Sequence, residues 1–337
     1  MDQDNYMVAL VLDSDMKTPV SIPVCTLADA KVMQADPSLF DKSLNLIWGG
    51  IANHLKGKKR IFFSADGAFN HIAIEYLLYN GKPMAEQMEV YRLSTTKELC
   101  YNHPHAVPSR AIDYNMSNAS EKVVKQSLAA MRSGGEGEAV YETLGNTLRE
   151  VNEISMVLKQ GKVKNVVILK NDNASKNSFL QLSDTKTNIL HLATHGAYRS
   201  HKGITDVESM NNSILAFAGA NTEEDSEVSA SEIAQMNLRT CDLVVLSACE
   251  SGLGKLGQDG VYGLQRGFKN AGVNTLLMSL RTVNDAATAE LMVQFYRNLM
   301  SGMSKRKALV EAQKDLRAKG YTDAKYWASF ILLDALD

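Results

Sequence analysis

Proline and tryptophan are scarce in this chain, with six and two residues among 337, and cysteine is too sparse for a disulfide-stapled architecture. The four cysteines, Cys25, Cys100, Cys241 and Cys249, form no CxxC pair and no metal-ligand spacing, so neither a disulfide framework nor a metal module is expected. Reduced thiols and a cytoplasmic location are the expectation. No apolar run approaches the roughly 18–20 residues of a membrane span, and the start, Met1-Asp-Gln-Asp-Asn-Tyr6, lacks the basic-then-apolar order of a signal peptide. Charge of one sign is missing as well. Thirty-six Lys and Arg against 38 Asp and Glu leave a net charge of −2, which argues against a nucleic-acid or membrane partner. No internal repeat is visible, and the strand-like run Tyr6–Leu12 begins almost without lead-in, as in a piece excised from a larger protein.

What is present is core. At 45% hydrophobic and 22% charged, the chain is long enough to bury a full α/β interior. Residues 6–12, 21–25, 59–64 and 88–93 read as strands, with a helix expected over 40–55 and a short one over 72–78. A polar stretch from Met116 to Gly137, ending Ser133-Gly-Gly-Glu-Gly137, is the best internal boundary. Beyond it, Leu144, Leu148, Val151, Ile154 and Leu158 recur at helical steps before Gly161, and strands at 165–169, 188–194, 242–248 and 275–280 alternate with helical patterns. That order predicts a mostly parallel sheet with helices on its faces. The polar segment 198–229 reads as a long loop, residues 260–272 as a helix, and 327–333 as a closing strand.

Two strand ends carry the candidate chemistry. Thr187-Asn-Ile-Leu-His-Leu-Ala-Thr-His195-Gly196 and Asp242-Leu-Val-Val-Leu-Ser-Ala-Cys249-Glu-Ser-Gly-Leu-Gly254 are both apolar runs that break off at a reactive side chain and pass into glycine. In a parallel sheet the carboxyl ends of neighbouring strands share one edge, so the imidazole and the thiol would meet as base and nucleophile. The histidine lies about 50 residues upstream, the order found in caspase-type enzymes. Backbone amides at Gly196 and Cys249 are placed to hold an oxyanion, and a glycine at 196 lets a substrate approach the main chain. On spacing alone, a small core cysteine and a carbonyl-satisfied histidine remain the alternative. His191 competes as the base, but its mid-strand position favours a structural role. Gly252-Leu-Gly254-Lys-Leu-Gly257 spells G-x-G-x-x-G, yet no acidic residue ends the next strand, so a nucleotide site is not expected. Asp285, past the strand 275–280, stands where it would line a pocket for a basic side chain or cap the following helix.

His-Leu-Ala-Thr-His195-Gly, Leu-Ser-Ala-Cys249-Glu-Ser-Gly-Leu-Gly, the 260–272 segment ending in Ala-Gly, Ser279-Leu-Arg-Thr-Val-Asn-Asp285 and Tyr326-Trp-Ala-Ser-Phe330 together resemble the CHAT-domain peptidases, relatives of caspases and separases. Residues 64–75 are similar to that family's degenerate first half. The resemblance implies a caspase-like α/β fold: a three-layer sandwich around a mostly parallel sheet, with a degenerate N-terminal half over 1–137 and a catalytic half over 138–337. It also implies a cysteine endopeptidase acting on protein substrates, with His195 and Cys249 as the catalytic pair, amides near Gly196 and Cys249 as the oxyanion hole, and no cofactor. Such domains commonly sit behind helical repeat arrays that bring a substrate or an activating partner. Arg281 stands where the family often has tryptophan, and Ser247 where more distant relatives place an acid that reads basic P1 residues. Asp285 and Ser247 are therefore the expected S1 residues. A non-catalytic interaction module on the same fold is the alternative.

Overall fold

The computed structural model describes residues 5–35, 46–101, 108–115, 144–220, 225–249, 251–257 and 260–336. Its centre is an eight-stranded sheet. In chain order the strands are β3 (Arg60–Ser64), β4 (Glu89–Leu93), β5 (Arg110–Asn115), β6 (Asn165–Lys170), β7 (Ile189–Ala193), β8 (Leu243–Ser247), β9 (Thr275–Ser279) and β10 (Phe330–Leu333), and in space they run β3-β4-β10-β9-β8-β7-β5-β6. The first two strands of the chain, β1 (Tyr6–Val11) and β2 (Val20–Thr26), stay outside this sheet and pair with each other.

The sheet is two parallel blocks joined back to back. β6, β5, β7, β8 and β9 all run parallel, β10 lies antiparallel to β9, and β10, β4 and β3 are again parallel to one another. Every residue of β7, β8 and β9 is buried. Strands covered on both faces need continuous apolar runs, which is why Ile-Leu-His-Leu-Ala and Leu-Val-Val-Leu-Ser do not alternate. Each fully buried aliphatic side chain there contributes about 1.5–3 kcal/mol of transfer free energy.

Helices α2 (Thr147–Gln160), α4 (Asp285–Met300) and α5 (Lys305–Ala318) pack on one another as one layer; α3 (Leu264–Asn270) and the short helix Ala230–Ile233 belong to another. Among the described residues no helix is long and apolar enough to cross a membrane. After β2, α1 (Leu27–Ala35) packs against β1, β2 and the 3₁₀ helix Gly67–His71.

Several expectations shift. The 260–272 segment is not one helix: Gly260–Gly263 pairs with Gly254–Gly257 as a hairpin, and α3 starts only at Leu264. A side chain at Gly263 would put its Cβ 2.4 Å from the carbonyl oxygen of Leu253, so this close strand pairing requires glycine. The segment 198–229 folds into a helix, Asp206–Asn212, closed by a capping box between Thr205 and Glu208, and into strands Ser213–Ala216 and Glu227–Ser229. Trp327 ends a short helix capped by Asp323, leaving Phe330–Leu333 as the strand. The Ile72–Leu78 helix is one 3₁₀ turn, Ile74–Tyr76. The stretch 116–137 and most of the 40–55 helix's first half lie outside the described residues; Leu46–Gly50 and Ala52–Leu55 are short helices. β5, encoded before residue 137, lies between β7 and β6.

Candidate active site

β7 and β8 are neighbours in parallel register, with Ala193 opposite Ser247. His195 and Cys249 each follow two residues later, so they leave the same sheet edge at the same height. Their backbones then converge. A Cβ on Gly196 would lie 2.8 Å from the carbonyl oxygen of Cys249 and 3.4 Å from Cβ of Ala248, a seat only glycine fits.

Each motif is pinned from behind. The His195 carbonyl accepts from the amide of Ala216 at 3.0 Å, and the Thr194 hydroxyl donates to the carbonyl of Ala216. Gly196–Tyr198 continues as a strand antiparallel to Ser213–Ala216. On the cysteine side, two wholly buried serines lock the turn. The Ser279 hydroxyl donates to the carbonyl of Ala248 at 2.6 Å, the Ser279 amide donates to Oγ of Ser251 at 3.0 Å, and the Gly252 amide donates to the Ser279 carbonyl at 2.7 Å. Neither serine stands out in sequence as more than a strand-end or loop residue.

Cys249 and His195 are both half-buried. The Cys249 Sγ lies 4.0 Å from the carbonyl oxygen of Val283, in the loop after β9. The remaining thiols differ. Burial pushes Cys25 up to about 11 and Cys241 up to about 12, which leaves both protonated and unreactive near neutral pH, while Cys100 is exposed on the surface.

His191 is wholly buried; its Nε2 lies 2.9 Å from Oε1 of Glu150 on α2, and its ring meets the edge of Tyr296 on α4. Held inside the core by these partners, it has no access to the sheet edge. Ser247 is also buried, and its Oγ has no hydrogen-bond partner among the described residues. Asp285 is not the helix cap. Asn284 caps α4, accepting from the amide of Ala287 at 3.0 Å, and Asp285, the first helical residue, accepts from the backbone amide and side-chain amide of Asn146, both at 2.9 Å. The G-x-G-x-x-G string spans the cysteine turn and the hairpin strand Gly254–Gly257, with no helix start to hold a phosphate.

Among solved structures, the fold is similar to that of the Arg-specific cysteine proteinase gingipain R, with a TM-score of 0.52 and 9% identity over 86% of this chain and 66% of that one. It is also similar to the complex of RgpB pro- and mature domains from Porphyromonas gingivalis, with a TM-score of 0.51 and 8% identity over 90% of this chain and 75% of that one. At such identities the likeness is one of fold, that of caspase-like cysteine peptidases. In sequence, 92 residues are 36% identical to tetratricopeptide repeat protein 28 of Homo sapiens and 34% identical to that of Mus musculus, a stretch covering 27% of this chain and 4% of the length of those relatives. With residues 41–335 matching as a unit, the chain belongs to the CHAT domain family.

Proposed function

We propose that this CHAT domain is a cysteine endopeptidase that cleaves protein substrates through a Cys249–His195 dyad. The observation that carries the reading is the seat of Gly196 against the Cys249 carbonyl, which supports a base and a thiol working at one sheet edge. In this reading His195 takes the thiol proton, and the thiolate attacks the scissile carbonyl carbon. The amides of Gly196 and Cys249 stabilise the resulting oxyanion. The C–N bond breaks as His195 returns the proton to the leaving amine, and a water deprotonated by His195 then hydrolyses the thioester. No cofactor enters this cycle. The burial of Cys25 and Cys241 supports Cys249 as the thiol that reacts.

Ser247, below the cysteine turn with an unpartnered hydroxyl, and Asp285, two residues beyond Val283, are the proposed S1 residues. The two bonds from Asn146 compete for the Asp285 carboxylate and limit its share in binding a basic P1 side chain. The repeat proteins among the relatives support a further part of the proposal, that a helical repeat region or another protein partner recruits substrate and activates the site. Four free thiols support a reducing, cytoplasmic setting.

Active-site labelling tests the reading. A peptide acyloxymethylketone is expected to alkylate Cys249 and spare Cys25, Cys100 and Cys241, with labelling lost in His195→Ala. Labelling spread across accessible thiols, or none even with an activating partner present, would favour a non-catalytic interaction module.

A further inference from the structure

The loop that faces the Cys249 thiol and the hairpin that follows the cysteine turn in the chain are both linked to one helix end that belongs to neither. Arg281, two residues past the end of β9, lies in the loop whose Val283 carbonyl faces the thiol. Its Nη1 donates to the carbonyl of Gln34 at 3.1 Å and its Nη2 to that of Met33 at 3.2 Å. Both carbonyls are in the last turn of α1, where the helix leaves acceptors open and carries no basic residue of its own. The guanidinium supplies the missing charge, and its planar fork suits two adjacent acceptors.

On the other side, the side-chain amide of Gln34 donates to Nδ1 of His71 at 3.0 Å. Burial, reinforced by the Arg92 charge, holds the His71 pKa down at about 4, so at neutral pH its ring is uncharged and can accept. His71 ends the 3₁₀ helix Gly67–His71, which packs on the hairpin 254–263, and that hairpin follows the cysteine turn. Gln34 thus links two segments: its carbonyl holds the 280–284 loop through Arg281, and its side-chain amide reaches, through His71, the 3₁₀ helix that packs on the hairpin.

We propose that the carboxyl end of α1 sets the position of the loop beside Cys249 and, through the hairpin, of the turn that carries it, and that Arg281 is a positioning residue of the site acting through this contact. The proposal rests on Cys249 being the nucleophile. It gives Arg281 a role other than that of a pocket wall, and it makes α1, with the β1–β2 hairpin outside the main sheet, a part of the catalytic geometry.

The test uses the full chain with Arg281→Ala, Arg281→Lys and Gln34→Ala, read by amide hydrogen exchange and by kcat and KM on a cleaved peptide. Arg281→Ala is expected to speed exchange at 280–284 and at the end of α1 by about tenfold or more, leaving β7 and β8 unchanged. It is expected to lower kcat by roughly 10- to 100-fold with KM within about threefold, because displacement near 1 Å costs on that scale. Arg281→Lys, able to reach one carbonyl at a time, should fall between. Gln34→Ala should speed exchange in 254–263, and combined with Arg281→Ala should cost less than the product of the single losses, since both act on one helix end. Unchanged exchange at 280–284, or faster exchange with kcat unaltered, would overturn the proposal. Should Arg281→Ala fail to fold, the Lys and Gln34 variants decide by the same readouts. A wild-type protein that neither cleaves nor labels at Cys249 would overturn the peptidase reading instead, and exchange alone would then decide the coupling.

Discussion

The two blocks of the sheet are built from similar strands and differ in direction. In the five-strand block, β7 and β8 end at His195 and Cys249 on one edge. In the three-strand block, β3, β4 and β10 run the other way, so their polar ends fall on the opposite edge. There the Ser94 amide donates to the Asp334 carboxylate at 2.7 Å, which ties the ends of β4 and β10 together. Strand direction, more than composition, decides which strand ends can share a site.

The blocks also treat buried charge differently. Arg92 on β4 is satisfied: its Nε and Nη2 donate to both oxygens of Glu75 at 3.0 and 2.7 Å, and Nη2 also donates to the Ile72 carbonyl. Asp113 on β5 is fully buried beside His191, and neither of its oxygens has a hydrogen-bond partner among the described residues. Burial pushes its pKa up to about 7, helped by Glu150 and opposed by His191 and Lys159. One block uses its buried charge as a staple, while the other holds a buried carboxyl with no hydrogen-bond partner among the described residues.

Six substitutions sharpen this contrast. The largest effect is expected from Cys249→Ala or His195→Ala, which should lower peptidase activity at least about a thousandfold with little change in thermal midpoint, as loss of a catalytic pair member does elsewhere. Arg92→Met should destabilise by about 3–5 kcal/mol in urea unfolding, because it leaves Glu75 buried and unpaired, yet preserve activity per folded molecule. Equal loss of activity in the folded fraction would show that the blocks are not functionally separate. Gly196→Ala forces a Cβ against the Cys249 carbonyl and should cost about 1–3 kcal/mol together with most of the activity.

Asp113→Asn acts in the other direction. A carboxyl whose folded pKa lies above its unfolded value contributes stability that is fully present below about pH 4 and is lost as pH rises through about 7. The variant should therefore lose the decline in urea midpoint between pH 5 and pH 8, and gain about 1–3 kcal/mol at pH 8. An unchanged pH dependence would mean that Asp113 is ionised and paired. The smallest effect is expected at Asp285. Asp285→Asn should alter P1 preference for Arg over Leu by less than about tenfold and lower stability by about 1 kcal/mol through the Asn146 contact.

The candidate site was legible in sequence because each half is written locally: an apolar run, a reactive side chain, a glycine. Four of the five strands of that block could be read from similar apolar runs. β5 was not, since Arg-Ala-Ile-Asp-Tyr-Asn115 has two aliphatic residues and a carboxylate in its middle, and only its neighbours make it a strand. The Ser251–Ser279 lock was equally silent, because serines at a strand end and in a loop are common and their pairing is tertiary. The Asp285 cap was misplaced by one residue, as Asn284 fits the same position. The Arg281 anchor joins residues 247 positions apart, beyond the reach of any local pattern.

The most direct test of the central claim is mass spectrometry of a protein extract incubated with this chain beside its Cys249→Ala variant, scored for new peptide termini. Termini that appear with the wild type, vanish with the variant and share a P1 residue are the expected result. Identical termini in both samples, with the wild type folded and a helical-repeat region of the kind proposed as partner supplied, would contradict it.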